Sequence, residues 1–269
     1  MSLESVLAVE KIFLDTNFAN LFAFPGFFKL KAGLFELKTD YFVRWFDRLG
    51  LPLVDNLWIN SYNSCTDKEE IYSYSDFKKY GYGELISRSI AIPAFIDKGY
   101  YMDGGLGQNG PLNQWSEEKL PIFLSQLMHP YRTTPKSRIE KLLYMWDVTA
   151  FQKFQYQKLN FPNIKVVYPD TGEISSLDFG LSKNQKIEMI EMAYKITVAQ
   201  LEFLQIKKQD KPVQICLALS GGGARSFSHI GVVKALLEWN YIPVKWSGTS
   251  GGSIVACALA GMEKKLRHV

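Results

Sequence analysis

The chain has 269 residues, of which 47% are hydrophobic, 14% aromatic and 22% charged. That balance excludes a disordered or fibrous chain and suffices for one large core or two small ones. The net charge of +4 is scattered along the chain, which argues against nucleic-acid binding and suits an anionic substrate or a membrane surface.

The three cysteines, Cys65, Cys216 and Cys257, show no Cys-x-x-Cys or Cys/His ligand spacing, so no zinc or other metal is expected. Their usage fits a reducing compartment. The first residues, MSLESVLAVEKIF, are acidic where a secretory signal would be basic, and no run of about 18 apolar residues suggests a membrane span. The expectation is a cytoplasmic protein.

In chain order, residues 3–14 have helical apolar spacing. Residues 17–36, rich in Phe and Leu and broken at Pro25-Gly26, read as a core-packing loop or as an apolar rim for acyl chains or a membrane surface. A helix is expected over 39–50, capped at Thr39 and stopped at Gly50, then a strand over 51–62. A short helix over 82–92 ends before Pro93, and an aromatic strand over 99–102 runs into Asp103-Gly104-Gly105. Residues 120–128 suit a buried strand or helix, 129–137 a loop, 138–159 a helix and 163–169 a strand. An amphipathic helix over 182–206 has Ser182 as its cap. The charged run 207–211 is the natural linker. Two strand–turn–helix units follow: strand 213–220 with helix 226–239, and strand 242–248 with helix 251–260; residues 263–269 read as a tail. Alternating strands and helices predict an α/β fold, three layers around a mostly parallel sheet.

The two glycine-rich turns carry the chemistry. The first, Gly221-Gly222-Gly223-Ala224-Arg225, follows a buried strand and opens a helix, so its amides can face an anion. It lacks the Lys-Ser/Thr of a P-loop and the last glycine of a dinucleotide fingerprint. The second, Gly248-Thr249-Ser250-Gly251-Gly252, is a Gly-x-Ser-x-Gly elbow between strand and helix, which exposes a serine hydroxyl above a helix N-terminus. Such a hydroxyl needs a base. His229 lies in the helix after the first turn and reads as a packing residue, His129 has no carboxylate near it in sequence, and His268 is at the tail. Asp103, at a strand end before two glycines, is the leading base.

Together Gly221–Arg225, Gly248–Gly252 and Asp103–Gly105, with Arg88-Ser89-Ile90-Ala91-Ile92-Pro93 and the segment 177–196, resemble the patatin-like phospholipase family. The resemblance implies a patatin-like α/β fold and an acyl hydrolase with a Ser250–Asp103 dyad and no cofactor. It implies an oxyanion hole from the Gly222, Gly223 and Ala224 amides with Arg225 nearby, and a lipid or lysophospholipid acyl ester as substrate, met at a membrane surface. The motif order departs from the family, in which the Asp motif comes last. Reading from Val213 to the end and then from the start restores it, so the expectation is one circularly permuted domain in which 1–206 and 213–262 are its two parts. The rival is a piece of two neighbouring units whose Ser250 and Asp103 meet only between chains. A second departure is Ser226, where the family has glycine. A catalytically idle lipid-binding relative, or a triad built on His129, are the other readings.

Overall fold

The computed structural model describes residues 1–21, 39–92, 96, 98–127, 138–172 and 174–267. Helices α1 (Leu3–Asp15) and α2 (Asp40–Arg48) lead to strands β1 (Leu57–Asn63) and β2 (Lys68–Tyr72). Then come α3 (Tyr74–Tyr80), α4 (Tyr82–Ser89), β3 (Tyr101–Asp103), β4 (Ile122–Ser125), α5 (Arg138–Leu159) and β5 (Lys165–Val167). The chain closes with α6 (Lys183–Phe203), β6 (Val213–Leu219), α7 (Ser228–Glu238), β7 (Tyr241–Thr249) and α8 (Gly251–Arg267).

The strands form one sheet in the order β2-β1-β7-β6-β4-β5. The pairs β1–β7, β7–β6, β6–β4 and β4–β5 are parallel, while β2 and β3 run antiparallel to β1. Strands from both ends of the chain therefore interleave: β6 and β7 sit between β1 and β4. The β6–β7 register shifts between Ile215 and Cys216, beside Pro243, which has no amide to lend to a ladder.

The two faces of the sheet are read directly from alternation along its strands. Ile215, Leu217 and Leu219 of β6 point into the larger core, which α1, α2, α4, α6, α7 and α8 cover. Cys216 and Ala218 point the other way, against Phe154 of α5 and Trp115. The central strand is apolar on both sides because helices cover both faces, and this gives the three-layer α/β architecture its sequence signature.

Ser182 caps α6 as expected, accepting the Gln185 amide at 3.3 Å while Gln185 Oε1 takes the Ser182 amide at 2.9 Å. Within the stretch expected as a strand or a helix, Ile122–Ser125 form a strand, since β4 is buried between two parallel neighbours. The expected tail differs: α8 continues to Arg267, and Glu263 accepts the Ser2 amide and the Ser5 hydroxyl, each at 2.7 Å. These bonds hold α8 against the start of α1, and they pull the Glu263 carboxyl down to about 2 in spite of burial, which pushes the other way. The run 207–211 has no helix or strand, and Gln209 ties it to the end of α7 through the Trp239 carbonyl at 3.2 Å. Most of the Phe/Leu-rich stretch 17–36, and His129 and His268, lie outside the described residues.

Candidate active site

Ser250 stands between β7 and α8 with φ of 50°, one of the few non-glycine residues in the left-handed region. That backbone is costly for a residue with a Cβ and persists where its surroundings hold it. They do: its amide donates to Ser89 Oγ at 2.9 Å, and its carbonyl accepts from Ser253 Oγ at 2.5 Å. The chain then packs so closely that a Cβ on Gly252 would lie 2.3 Å from the Leu219 carbonyl oxygen. Gly248 lies opposite Ile59 and ends the pairing with β6 at Leu219, and Gly251 opens α8, so the hydroxyl stands over a helix N-terminus.

Asp103 reaches the same place from the other side of the chain. Strand β7 covers one edge of β1 from Leu57 to Asn60, with Thr249 opposite Asn60. Strand β3 covers the next stretch of that same edge in the opposite direction, with Asp103 opposite Ser61. The other edge is held by β2 over both Asn60 and Ser61. The two strands thus run head to head along β1, and their last residues face neighbouring positions, which are about 3.3 Å apart along a strand. Ser250 follows one of those ends, and Asp103 is the other. Both are buried. The Asp103 amide donates to the Ala91 carbonyl at 2.7 Å, and its Oδ1 accepts the Gly105 amide at 2.8 Å, so the carboxylate is set in a tight turn. Segment 88–91 therefore touches both halves: Ser89 holds the elbow and Ala91 holds the aspartate.

A polar network that sequence reasoning missed locks the junction. Thr249 Oγ1 lies 2.8 Å from Asn60 Oδ1 and 2.9 Å from the Gln108 carbonyl, and accepts the Gly110 amide at 3.1 Å. Asn60 Nδ2 donates to Glu69 Oε1 at 2.6 Å and faces the Gly104 and Gln108 carbonyls at 3.1 and 3.0 Å. Gln108 Nε2 donates to the other Glu69 oxygen. Burial raises the Glu69 carboxyl above its ordinary value, against the hydrogen bonds from Asn60 and Gln108 that favour the ion. Asn109 Oδ1 accepts the Gly221 amide at 2.7 Å and so ties the loop after Asp103 to the first glycine-rich turn. The only signal in the sequence was Gln108-Asn109-Gly110 lying a few residues past the Asp motif.

The glycine-rich turn enters a 3-10 turn over Gly223–Phe227. Gly223 has φ of 55°, and a Cβ there would fall 2.0 Å from the Ser176 carbonyl oxygen. The Ala224 amide donates to that same carbonyl at 2.8 Å. Of the three amides expected to face an oxyanion, Ala224 is thus committed to the segment after β5, while no bond from Gly222 or Gly223 N–H occurs among the described residues. Arg225 is half-buried, its Nε turned back toward the Gly222 carbonyl at 3.4 Å.

His229 is fully buried on α7. Its Nε2 faces the Ser220 carbonyl at 2.9 Å, so that nitrogen carries the proton and Nδ1 accepts from Ser125 Oγ at 2.8 Å. Burial lowers its pKa to about 4, so it is neutral and joins β4 to the glycine-rich turn. Its role is structural, as expected from its position. Among the described residues no group of three or more His, Cys, Asp or Glu side chains could hold a metal ion, and no helix is long and apolar enough to cross a membrane.

A buried serine on a strained strand–helix elbow, a carboxylate at the facing strand end and a glycine-rich turn thus gather at one end of the parallel sheet. The patatin-like phospholipase family model matches residues 217–267, the segment from β6 to α8 that carries both glycine-rich turns. A patatin-like phospholipase domain-containing protein of Chaetomium globosum is 40% identical over 84 residues, covering 28% of this chain and 10% of the relative. One of Neurospora crassa is 46% identical over 66 residues, 21% of this chain and 8% of the relative. A triacylglycerol lipase of Schizosaccharomyces pombe is 43% identical over 53 residues, 20% of this chain and 11% of the lipase. The matches span about a tenth of the length of these curated relatives. No solved structure matches the chain.

Proposed function

We propose that the chain is a serine acyl hydrolase of lipid esters, of the phospholipase A or lysophospholipase kind, working through Ser250 and Asp103. The carrying observation is the head-to-head meeting of β7 and β3 on one edge of β1. Asp103 takes the Ser250 proton as the oxygen attacks the ester carbonyl carbon, and the carbonyl π electrons move to its oxygen. Amides of the glycine-rich turn and the α8 N-terminus stabilise that oxyanion. Collapse breaks the bond to the leaving oxygen, which takes the proton back from Asp103. Water then attacks the acyl-serine, gives a proton to Asp103 and releases the fatty acid, and Ser250 recovers its proton. The family match and the lipase among the relatives support a lipid ester as substrate. An ester of this kind is met at a membrane surface.

The test is covalent labelling of Ser250 by a fluorophosphonate, with hydrolysis of p-nitrophenyl esters. Ser250→Ala and Asp103→Asn are each expected to abolish hydrolysis in folded protein. Activity retained by either variant rejects the dyad.

The same reading takes residues 1–206 and 213–262 as one permuted domain bridged by 207–211. The interleaving of β1, β7, β6 and β4 supports it. Mixing Ser250→Ala with Asp103→Asn protein distinguishes it from a site completed between two copies: the mixture stays inactive if the site is within one chain and regains activity if it is shared.

A further inference from the structure

Gly221 is pressed against the nucleophile. A Cβ placed on it would lie 3.1 Å from Ser250 Cβ and 3.1 Å from Asn109 Oδ1. The neighbouring approaches are as close. A Cβ on Gly252 would lie 2.5 Å from the Ser220 carbonyl oxygen, and one on Gly251 would lie 2.8 Å from that of Gly223. The glycine-rich turn and the serine elbow are therefore in direct contact from Ser220 to Gly223, and the bonds made to the turn decide which way its peptides face.

Each carbonyl from Ser220 to Gly222 has a donor. His229 Nε2 donates to the Ser220 carbonyl at 2.9 Å, Ser220 Oγ to the Gly221 carbonyl at 3.1 Å, and the Arg225 amide to the Gly222 carbonyl at 3.1 Å. A trans peptide sets its N–H opposite its C=O, so the Gly222 and Gly223 amides point away from those donors. The amide before them is held too: Gly221 N–H donates to Asn109 Oδ1 at 2.7 Å. Asn109 is fully buried, and the loop that carries it is clamped to β1 and β7 through Gln108, Asn60 and Thr249. Its acceptor is uncharged. It fixes an amide beside Ser250 without setting a negative charge against one that develops there.

We propose that Asn109 is a positioning residue: by holding the Gly221 amide it sets the spacing between the glycine-rich turn and Ser250, and so aims the Gly222 and Gly223 amides at the oxyanion. No bond to substrate forms or breaks on Asn109. Its effect falls on the transition state, where the charge to be stabilised exists, and hardly on the bound ester. The proposal rests on the hydrolase reading above.

The experiment compares the full chain with Asn109→Ala and Asn109→Asp on p-nitrophenyl butyrate, with sites counted by exhaustive fluorophosphonate labelling of Ser250. Inhibition by butylboronic acid, which forms an anionic tetrahedral adduct on a serine oxygen, is measured alongside. In Asn109→Ala the turn loses its anchor, so kcat per labelled site is expected to fall about 100-fold and the boronate inhibition constant to rise by a similar factor, with KM within about threefold. Asn109→Asp keeps the shape and an acceptor but sets a charge beside the oxyanion, so kcat and boronate affinity are expected to fall together there as well. It carries the test if the alanine variant does not fold. A kcat per site near wild type in a folded variant overturns the proposal. So does a defect confined to KM, or a loss of kcat without loss of boronate affinity. Failure of both variants to fold makes the bond structural and overturns it also. If the unaltered chain takes the label and hydrolyses the ester, any such failure belongs to Asn109 alone. If it does neither, the hydrolase reading falls and this proposal with it.

Discussion

Replacing Thr249 with valine removes one hydroxyl from the point where β7, β1 and the loop after Asp103 meet. Valine has nearly the same shape, so no cavity opens. What is lost is the acceptor of the Gly110 amide at 3.1 Å and the proton shared between Asn60 Oδ1 and the Gln108 carbonyl. Gln108 O keeps a partner in Asn60 Nδ2, but no other acceptor for the Gly110 amide is found among the described residues. An orphaned buried amide costs about 1–3 kcal/mol, so about 2 kcal/mol is expected here. For a chain of this size that lowers Tm by about 4–8 °C. The loop after Asp103 also loses one of its ties to the strand that leads to Ser250, keeping the bond from Ser247 Oγ to the Pro111 carbonyl at 2.6 Å, and small misplacements near a reacting group are costly, so kcat is expected to fall about tenfold. Scanning calorimetry and ester hydrolysis on Thr249→Val and Thr249→Ser measure both effects, with serine near wild type. A valine variant that melts within about 1 °C of wild type and keeps its kcat refutes the view that this hydroxyl holds the junction.

Other outcomes follow from the same geometry. Gly252→Ala is expected to prevent stable folding, because its Cβ would sit 2.3 Å from the Leu219 carbonyl oxygen; accumulation of soluble variant with wild-type Tm would contradict the close approach. His229 ties stability to pH. Its pKa falls from 6.5 to about 4 on folding, so its contribution is complete above 6.5 and is lost as pH drops from there toward 4. The total is on the order of 3 kcal/mol, and the wild-type decline in Tm over this window should be shallower in His229→Gln. Equal slopes in the two proteins would mean that folding leaves the proton affinity of the imidazole unchanged, which would contradict its burial.

Some of this protein could be read from local pattern alone. The long helices, the buried strand before Ser220, the elbow at Ser250 and the turn at Asp103 are each set by a few consecutive residues: apolar period, a capping serine, glycines where no Cβ fits. These rules act over one or two turns of chain, so they are visible in a string of letters. The α3 helix escaped them because Tyr74–Tyr80 is only seven residues long, so the stripe of Tyr74, Phe77 and Tyr80 behind Ser73 spans barely two turns.

What only the tertiary structure decided is which distant pieces meet. Thr249 and Asp103 come together because β7 and β3 share one edge of β1, and nothing near either residue encodes that pairing. The roles of Asn60, Glu69 and Asn109 depend on it too, since a polar side chain becomes a clamp only when folding buries its partners beside it. The commitment of the Ala224 amide to Ser176 is of the same kind. Hydrogen bonds between groups far apart in the chain leave no periodic trace in sequence, whereas the glycine-bounded turns at Asp103, Gly221 and Ser250 do.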